Sequence, residues 1–324
     1  MSTRGFLLWI AAAIPLVLIA GAAFVVGSAY LDHRRAIERE KVAYPAPGEL
    51  VAVGPPGARE GLLHVYAEGV GNPTLVFLSG LGTSSPYYDF RTLFERLSDH
   101  YRIAVVERAG YGWSEVSARS RDLATVLEET RTALRRAGES PPYVLFPHSM
   151  AGLEALLWAE RHSEEVEAII GLDPLVPGYE PDAEEGPALS RLETLLARTG
   201  LMRSGPDVFD RNFPAMVEGR LDPCEAAAAE TIFMRRTHTQ DMWDEVRALE
   251  ENLALVRALG PPDVPVHAFV SGQGTEAWID GVVSFATASG GEAVVLDAGH
   301  YVHLAEPVLI AEKSRELIEA SSAR

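Results

Sequence analysis

The sequence predicts an α/β protein: a doubly wound, mostly parallel sheet with a helical cap after the sixth strand. Short apolar runs alternate with stretches of helical hydrophobic spacing, and strands joined through helices run parallel with right-handed crossovers. The alternation stops at about residues 178–260, where the pattern is helical, and resumes from residue 264. We expect this interruption to be a cap inserted over the sheet.

The composition fits one sizeable domain with additions. The chain has 324 residues, of which 47% are hydrophobic. A net charge of −18, and a sequence without a Lys/Arg-rich run, argue against a nucleic-acid surface. The single cysteine, Cys224, excludes an intrachain disulfide, and the dispersed histidines lack the spacing of metal ligands. We therefore expect no cofactor, no metal and no nucleic-acid partner, while the oligomeric state stays open.

Residues 1–31 predict a transmembrane anchor. Residues 5–31 contain no charged side chain, and this length exceeds the roughly 20 residues with which a helix crosses a bilayer. A cleaved signal peptide is the alternative, although its apolar region normally spans only about 7–15 residues. Arg4 before the stretch and the basic residues after it leave the side of the membrane open. Residues 32–48 are charged and then Pro-rich, which predicts a linker, and the globular domain is expected at 49–324.

Apolar runs of strand length and amphipathic helical patterns alternate within that domain. The predicted strands are 50–53, 62–66, 74–78, 102–106, 143–146, 166–172, 264–270 and 293–296. Helical spacing follows at 87–97, 121–137, 153–157, 277–288 and 307–320. Polar residues stand at the ends of four strands: Ser79, Glu107, Ser149 and Asp173. Because ligands bind outside the carboxyl ends of parallel strands, we expect these side chains to border the functional crevice.

The stretch around Ser149 has the order of a nucleophile elbow. An apolar run precedes the serine, and leucines at helical spacing follow it, so that strand, sharp turn, serine and helix come in sequence. The elbow pattern is G-x-S-x-G, and Pro147 and Ala151 occupy its outer positions here. An ordinary strand-to-helix turn that happens to carry a serine is the alternative.

From about residue 50 to its end, the chain resembles the α/β-hydrolase family. The likeness is carried by the segments SGLG (79–82), RAGYGWS (108–114), PHSMAG (147–152) and GHYVH (299–303). It is nearest to the serine esterase and lipase-like branch, which carries its cap after the sixth strand. The resemblance implies the fold and a serine hydrolase of the carboxylesterase or lipase type. It does not imply a particular substrate, since this fold hosts many functions.

Ser149 needs a base to take its proton, and histidine has a suitable pKa. In this family the histidine follows serine and acid in chain order, directly after a glycine, so the resemblance implies that His300 is the base. His303 is its rival. His148, beside the serine, is interpreted as structural.

The acid that orients the histidine is less determined by the sequence. The turn after the seventh strand, 271–275, where much of the family places its acid, contains no carboxylate. Asp173, at the end of the sixth strand, is a placement that some family members use. Glu276, directly after the seventh-strand turn, stays open as the alternative acid.

The oxyanion hole requires two donors aimed at the developing charge. The resemblance implies the backbone N–H groups of Met150, directly after the nucleophile, and of Leu81, in the loop after the third strand. The expected function is a membrane-anchored serine hydrolase that cleaves a small-molecule carboxylic ester, or an amide, through an acyl-enzyme. A non-catalytic membrane-tethered binding module, or a cofactor-free haloperoxidase or lyase-type reaction at the same site, are the alternatives.

Overall fold

A computed structural model describes residues 3–54, 60–117, 119–178 and 189–322, with the side chains of 3–12 and 322 left out. Residues 179–188, at the start of the predicted cap, lie outside the described residues. The first two residues of the predicted anchor and the last two of the predicted domain also lie outside them.

The described strands form one eight-stranded sheet in the order β1-β2-β4-β3-β5-β6-β7-β8. They are β1 Glu49–Val53, β2 Gly61–Glu68, β3 Thr74–Leu78, β4 Arg102–Glu107, β5 Tyr143–Pro147, β6 Val166–Leu172, β7 Val266–Ser271 and β8 Ala293–Leu296. Strand β2 pairs antiparallel with both β1 and β4, and all other pairings are parallel. The predicted doubly wound, mostly parallel sheet is therefore confirmed.

Helices cover both faces of the sheet and build the cap. In chain order they are α1 Thr3–Ala43, α2 Pro86–Phe94, α3 Leu123–Arg136, α4 Ala151–Arg161, α5 Arg191–Thr199, α6 Val208–Asn212, α7 Pro214–Val217, α8 Pro223–Arg236, α9 Gln240–Arg257, α10 Glu276–Ala288, α11 Val302–Ala305 and α12 Pro307–Ser322. Helices α5 to α9 lie between β6 and β7, so the cap follows the sixth strand as predicted.

The central strands are buried on both faces, which explains their unbroken apolar runs. Every residue of β3 and of β5 is buried. Between these neighbouring strands, the rings of Phe77 and Phe146 stack with centroids 4.8 Å apart. Strands held this firmly place the residues that follow them at fixed positions along one edge of the sheet.

Three buried phenylalanine rings of the cap pack against one another. Phe209, Phe213 and Phe233 come from three different segments of the cap, and their ring centroids lie 5.0 to 6.3 Å apart. All three are at most 5% exposed. The same apolar cluster contains Phe77 of β3 and Phe90 of α2, so these rings also pack the cap onto the core of the sheet domain.

Helix α1 differs from the predicted anchor and linker because it continues without a break to Ala43. Pairs such as Asp32 with Arg35, three residues apart, support helix in the charged segment. The cap supports it too, since Arg203 donates hydrogen bonds to Glu40 at 2.7 and 2.8 Å and to His33 at 2.8 Å. Of the predicted linker, residues 32–43 are thus helical and partly docked.

One helix in the described part of the chain, α1, is long and apolar enough to cross a membrane. From residue 13 on, its apolar portion is largely exposed, with Leu16, Val17 and Phe24 each at least 67% accessible. A signal sequence near the N-terminus meets the same criteria of length and composition.

Candidate active site

Ser149 occupies a sharp turn between β5, which ends at Pro147, and α4, which begins at Ala151. Its φ of +52° lies in the left-handed region, which costs a non-glycine residue roughly 1–3 kcal/mol. Backbone hydrogen bonds hold it there: the Ser149 N–H donates to Leu172 O at 3.3 Å, and its carbonyl accepts from Leu175 N at 2.8 Å. The turn therefore has the strained strand-to-helix geometry of an elbow.

The two departures from the elbow pattern fit this geometry. Pro147 is the last residue of β5, and the neighbouring N–H of His148 supplies the bond to Leu78 O at 2.9 Å. Ala151 is 1% exposed and accommodated in the core. The glycine requirement falls one residue later, because a Cβ on Gly152 would lie 2.3 Å from the carbonyl oxygen of Leu175.

His300 lies beside the elbow, in the loop between β8 and α11. Its ring centroid is 4.7 Å from that of His148, the residue before the serine. The His148 Nε2–H also donates to the carbonyl oxygen of His300 at 3.1 Å. His300 therefore lies on the same side of the molecule as the turn that carries Ser149, although the two residues are far apart in sequence.

Asp173 is hydrogen-bonded to this histidine. The His300 Nδ1–H donates to Asp173 Oδ2 at 2.6 Å. Asp173 follows β6 with a φ of +49°, so it shares the unusual backbone conformation of Ser149 at the end of the neighbouring strand. The structure therefore brings together an acid, a histidine and the serine elbow.

The other carboxylate oxygen of Asp173 accepts two more hydrogen bonds. Ser271 N donates to Oδ1 at 2.9 Å, and Trp278 Nε1 donates to it at 2.7 Å. The residue is only 2% exposed, and these donors compensate the loss of water around the carboxylate. They also fix its orientation towards His300.

The alternative residues occupy different environments. Glu276 opens α10 as an exposed residue, and the structure shows no hydrogen bond between it and His300. His303 is fully buried, and burial lowers its pKa to about 3. Burial also lowers the pKa of His148 well below its ordinary value, with the neighbouring His300 acting in the same direction. Both buried rings are therefore neutral at physiological pH.

The two backbone segments predicted to form the oxyanion hole border the serine turn. Met150 caps the N-terminus of α4, where the helix dipole favours negative charge. Gly80, in the loop after β3, lies so close to the elbow that a Cβ there would be 2.9 Å from Ser149 Cβ. Within the described part of the chain, neither the Met150 N–H nor the Leu81 N–H donates a hydrogen bond.

Sequence reasoning missed two contributors to this region. Trp278 donates to Asp173, yet an indole at the second position of a predicted helix carries no signal of its tertiary partner. Arg108 lies in a segment that the family pattern flags, but its buried partner Glu245 comes from the cap, 137 residues away. Such long-range pairs are invisible to local spacing.

Comparisons with known proteins agree with this architecture. A family model described as the alpha/beta hydrolase fold matches residues 73–199. The uncharacterized protein YbdG of Bacillus subtilis (strain 168) is 41% identical over 171 residues, which cover 52% of this chain and 51% of that protein. A second uncharacterized protein of that organism, YqjL, is 30% identical over 109 residues, covering 34% of this chain and 42% of its own length. This chain thus spans about half the length of the curated relatives that it matches.

Solved structures share the fold at low sequence identity. A malate-bound thermophilic esterase from Thermogutta terrifontis superposes with a TM-score of 0.59 and 18% identity, covering 85% of this chain and 99% of the other. An epoxide hydrolase from Vigna radiata gives a TM-score of 0.61 at 18% identity, with the same coverage. At such identities, the likeness establishes the fold and leaves the reaction open.

Proposed function

We infer from its membership of the α/β-hydrolase family that this chain is a hydrolase, and we propose that it cleaves a carboxylic ester, or an amide, through an acyl-enzyme. One observation carries the proposal. The His300 Nδ1–H donates to Asp173 at 2.6 Å while His300 lies against a strained elbow that carries Ser149. A serine, a histidine and a carboxylate in this order are the parts of an activated nucleophile.

Acylation begins when Ser149 Oγ attacks the substrate carbonyl carbon and passes its proton to Nε2 of His300. Asp173 holds the ring in the tautomer with Nδ1 protonated, so that Nε2 is free to accept, and it stabilises the imidazolium that forms. The tetrahedral intermediate then expels the alcohol, which takes the proton from His300. This leaves the acyl group esterified to the serine.

Deacylation repeats the sequence with water. His300 takes a proton from the water as the oxygen attacks the acyl carbon, and the serine leaves with that proton. In both halves, the negative oxygen is stabilised by the Met150 N–H at the start of α4 and the Leu81 N–H in the loop after β3. No cofactor is required for this reaction.

We also propose that α1 anchors the protein in a membrane through residues 5–31. The support is its length, its exposed apolar surface and its continuation into a docked, charged end at the cap. Fractionation tests this: full-length protein should sediment with membranes. Full-mass protein found only in the soluble fraction would exclude the anchor.

A fluorophosphonate probe tests the reaction class directly, because it labels an activated serine. We expect labelling of the folded protein, and loss of labelling in Ser149→Ala. A panel of p-nitrophenyl esters of graded acyl length then defines the substrate class. Folded protein that takes no label and hydrolyses no ester would favour the binding-module alternative. Labelling without hydrolysis would favour a haloperoxidase or lyase-type reaction.

A further inference from the structure

A buried charge cluster lies directly beneath the loop that carries Leu81. Its centre is Arg108, which follows β4 and is 3% exposed. Its Nε and Nη2 donate to the two carboxylate oxygens of Glu245, at 3.1 and 3.3 Å. Glu245 is 2% exposed and belongs to the cap helix α9. The pair therefore connects the cap to the sheet.

Arg108 also holds the backbone of the loop. Its Nη1 donates to the carbonyl oxygen of Ser79 at 2.7 Å, and its Nη2 donates to that of Gly80 at 3.3 Å. In a trans peptide the carbonyl and the following N–H point in opposite directions. Because the Gly80 carbonyl faces the guanidinium, the Leu81 N–H faces away from it.

Tyr111 closes the arrangement from the other end of the loop. Its hydroxyl donates to Glu245 Oε2 at 2.5 Å and accepts from the Gly82 N–H at 3.3 Å. The guanidinium of Arg108 lies 4.8 Å above its ring. Two successive carbonyls and one N–H of the loop are thus all bound to one buried unit.

The neighbouring carboxylates keep Arg108 ionised although it is buried. Burial alone opposes a charged arginine, yet the Glu245 carboxylate, with a further contribution from Glu154, raises the pKa of Arg108 above its ordinary value. Glu154, on the elbow helix α4, lies 3.7 Å from Nη1. The permanently charged Arg108 consequently has a strong hold on the two carbonyls.

We infer that Arg108, Glu245 and Tyr111 are positioning residues for the oxyanion hole, with Glu245 making the docked cap a requirement for catalysis. The inference rests on the proposed serine-hydrolase function. Glu245 fixes the guanidinium, the guanidinium fixes the Gly80–Leu81 peptide, and that peptide directs its N–H at the developing oxyanion. Without the clamp, the loop peptide is free to rotate and the donor is lost from the site.

The test compares Glu245→Gln with Glu129→Gln in the full-length protein. Glu129 is a matched control because it is also buried and bound to two arginines, Arg119 and Arg121, each at 2.7 Å. We expect E245Q to lower kcat for a p-nitrophenyl ester by about 10- to 100-fold, with KM changed by less than about threefold, since loss of one oxyanion donor costs about 10²–10³. The rate of fluorophosphonate labelling should fall in proportion. E129Q should change thermal stability while kcat stays at the wild-type value.

Tyr111→Phe is a second, milder variant if E245Q does not fold. It removes one acceptor of the loop and one donor to Glu245, and we expect kcat to fall by about three- to tenfold at unchanged KM. If E245Q or Y111F folds and keeps the wild-type kcat, this inference is overturned, while the proposed function still stands. Wild-type protein that neither takes the probe nor hydrolyses the ester would overturn the proposed function and this inference with it.

Discussion

Glu107 at the end of β4 and Asp173 directly after β6 each pair with a histidine, and the two pairs differ in the hydrogen bonding of the second ring nitrogen. His64 and Glu107 stand directly opposite each other on β2 and β4, with Nδ1 and Oε2 2.9 Å apart and both side chains fully buried. His300 and Asp173 are similarly paired at 2.6 Å, but the histidine side chain is 44% exposed.

In the buried pair, both ring nitrogens of His64 take part in hydrogen bonds. The Gly48 N–H donates to His64 Nε2 at 3.0 Å, which occupies the nitrogen that a base would use. Glu107 additionally accepts from the backbone N–H groups of Tyr87 and Trp113, at 3.2 and 2.7 Å. These bonds join β2, β4, α2 and the turn that follows β4. The pair therefore stabilises the fold.

The exposed pair leaves its second nitrogen available. Nδ1 of His300 is held by Asp173, and Nε2 forms no hydrogen bond with the described residues. A carboxylate partner thus does not by itself make a histidine a base. The pairs differ in their Nε2 atoms, since that of His64 accepts a hydrogen bond and that of His300 forms none with the described residues.

The largest expected effect comes from the exposed pair. Asp173→Asn should lower kcat by up to about 10⁴, because an amide no longer favours the His300 tautomer with Nδ1 protonated. This is the loss that the wrong histidine tautomer causes in the well-studied serine proteases. The melting temperature should change much less. Glu276→Gln is the control variant, and its kcat for ester hydrolysis should equal that of the wild type. If kcat fell equally in both variants, Asp173 would not be the acid that orients His300.

The buried pair should respond in the opposite way. Glu107→Gln introduces an amide NH₂ where three donors already point, and we expect a loss of roughly 3 kcal/mol in the free energy of unfolding. The folded fraction should keep its kcat. Urea unfolding and initial-rate measurements on the same sample check this. A kcat that collapses at unchanged stability would contradict the structural role of the pair.

A third histidine, His303, sharpens the comparison because no carboxylate among the described residues pairs with it. Both of its ring nitrogens are buried and lack hydrogen bonds in the described structure. Burial lowers its pKa from 6.5 to about 3, so the unfolded chain binds the proton more readily, and the neutral ring's contribution to stability is lost as pH falls from about 6.5 towards 3.

His303→Phe removes this titration while keeping an aromatic ring against Phe90, whose centroid lies 5.0 Å away. Between pH 7 and pH 5, we expect the variant to lose about 2 kcal/mol less unfolding free energy than the wild type. Urea titrations at both pH values measure the difference. Parallel losses in the two proteins would show that His303 binds a proton in the folded state as readily as in the unfolded chain, contrary to a lowered pKa.

The sequence was sufficient for the fold and for the main features of the site region. Apolar runs identified the buried strands because parallel strands are covered on both faces, and the cap appeared as a break in their alternation. Ser149 and His300 were identified through motifs of the family that the sequence resembles, and the structure places them in the turns that follow β5 and β8.

The remaining features depend on tertiary pairing. Glu107 and Asp173 both follow apolar runs, and nothing local distinguishes the carboxylate that meets His64 from the one that meets His300. Asp173 and Glu276 stayed open for the same reason. The end of α1 was predicted as a linker because its charged composition is typical of one, while its stabilising partner Arg203 lies 163 residues away from Glu40.

That docking has a practical consequence for preparing the protein without its apolar segment. A truncation at residue 48, the end of the segment predicted as a linker, would leave the Arg203 guanidinium without both of its acceptors, His33 and Glu40. A cut closer to residue 32 would retain them. Solubilised versions should therefore begin before the charged turns of α1.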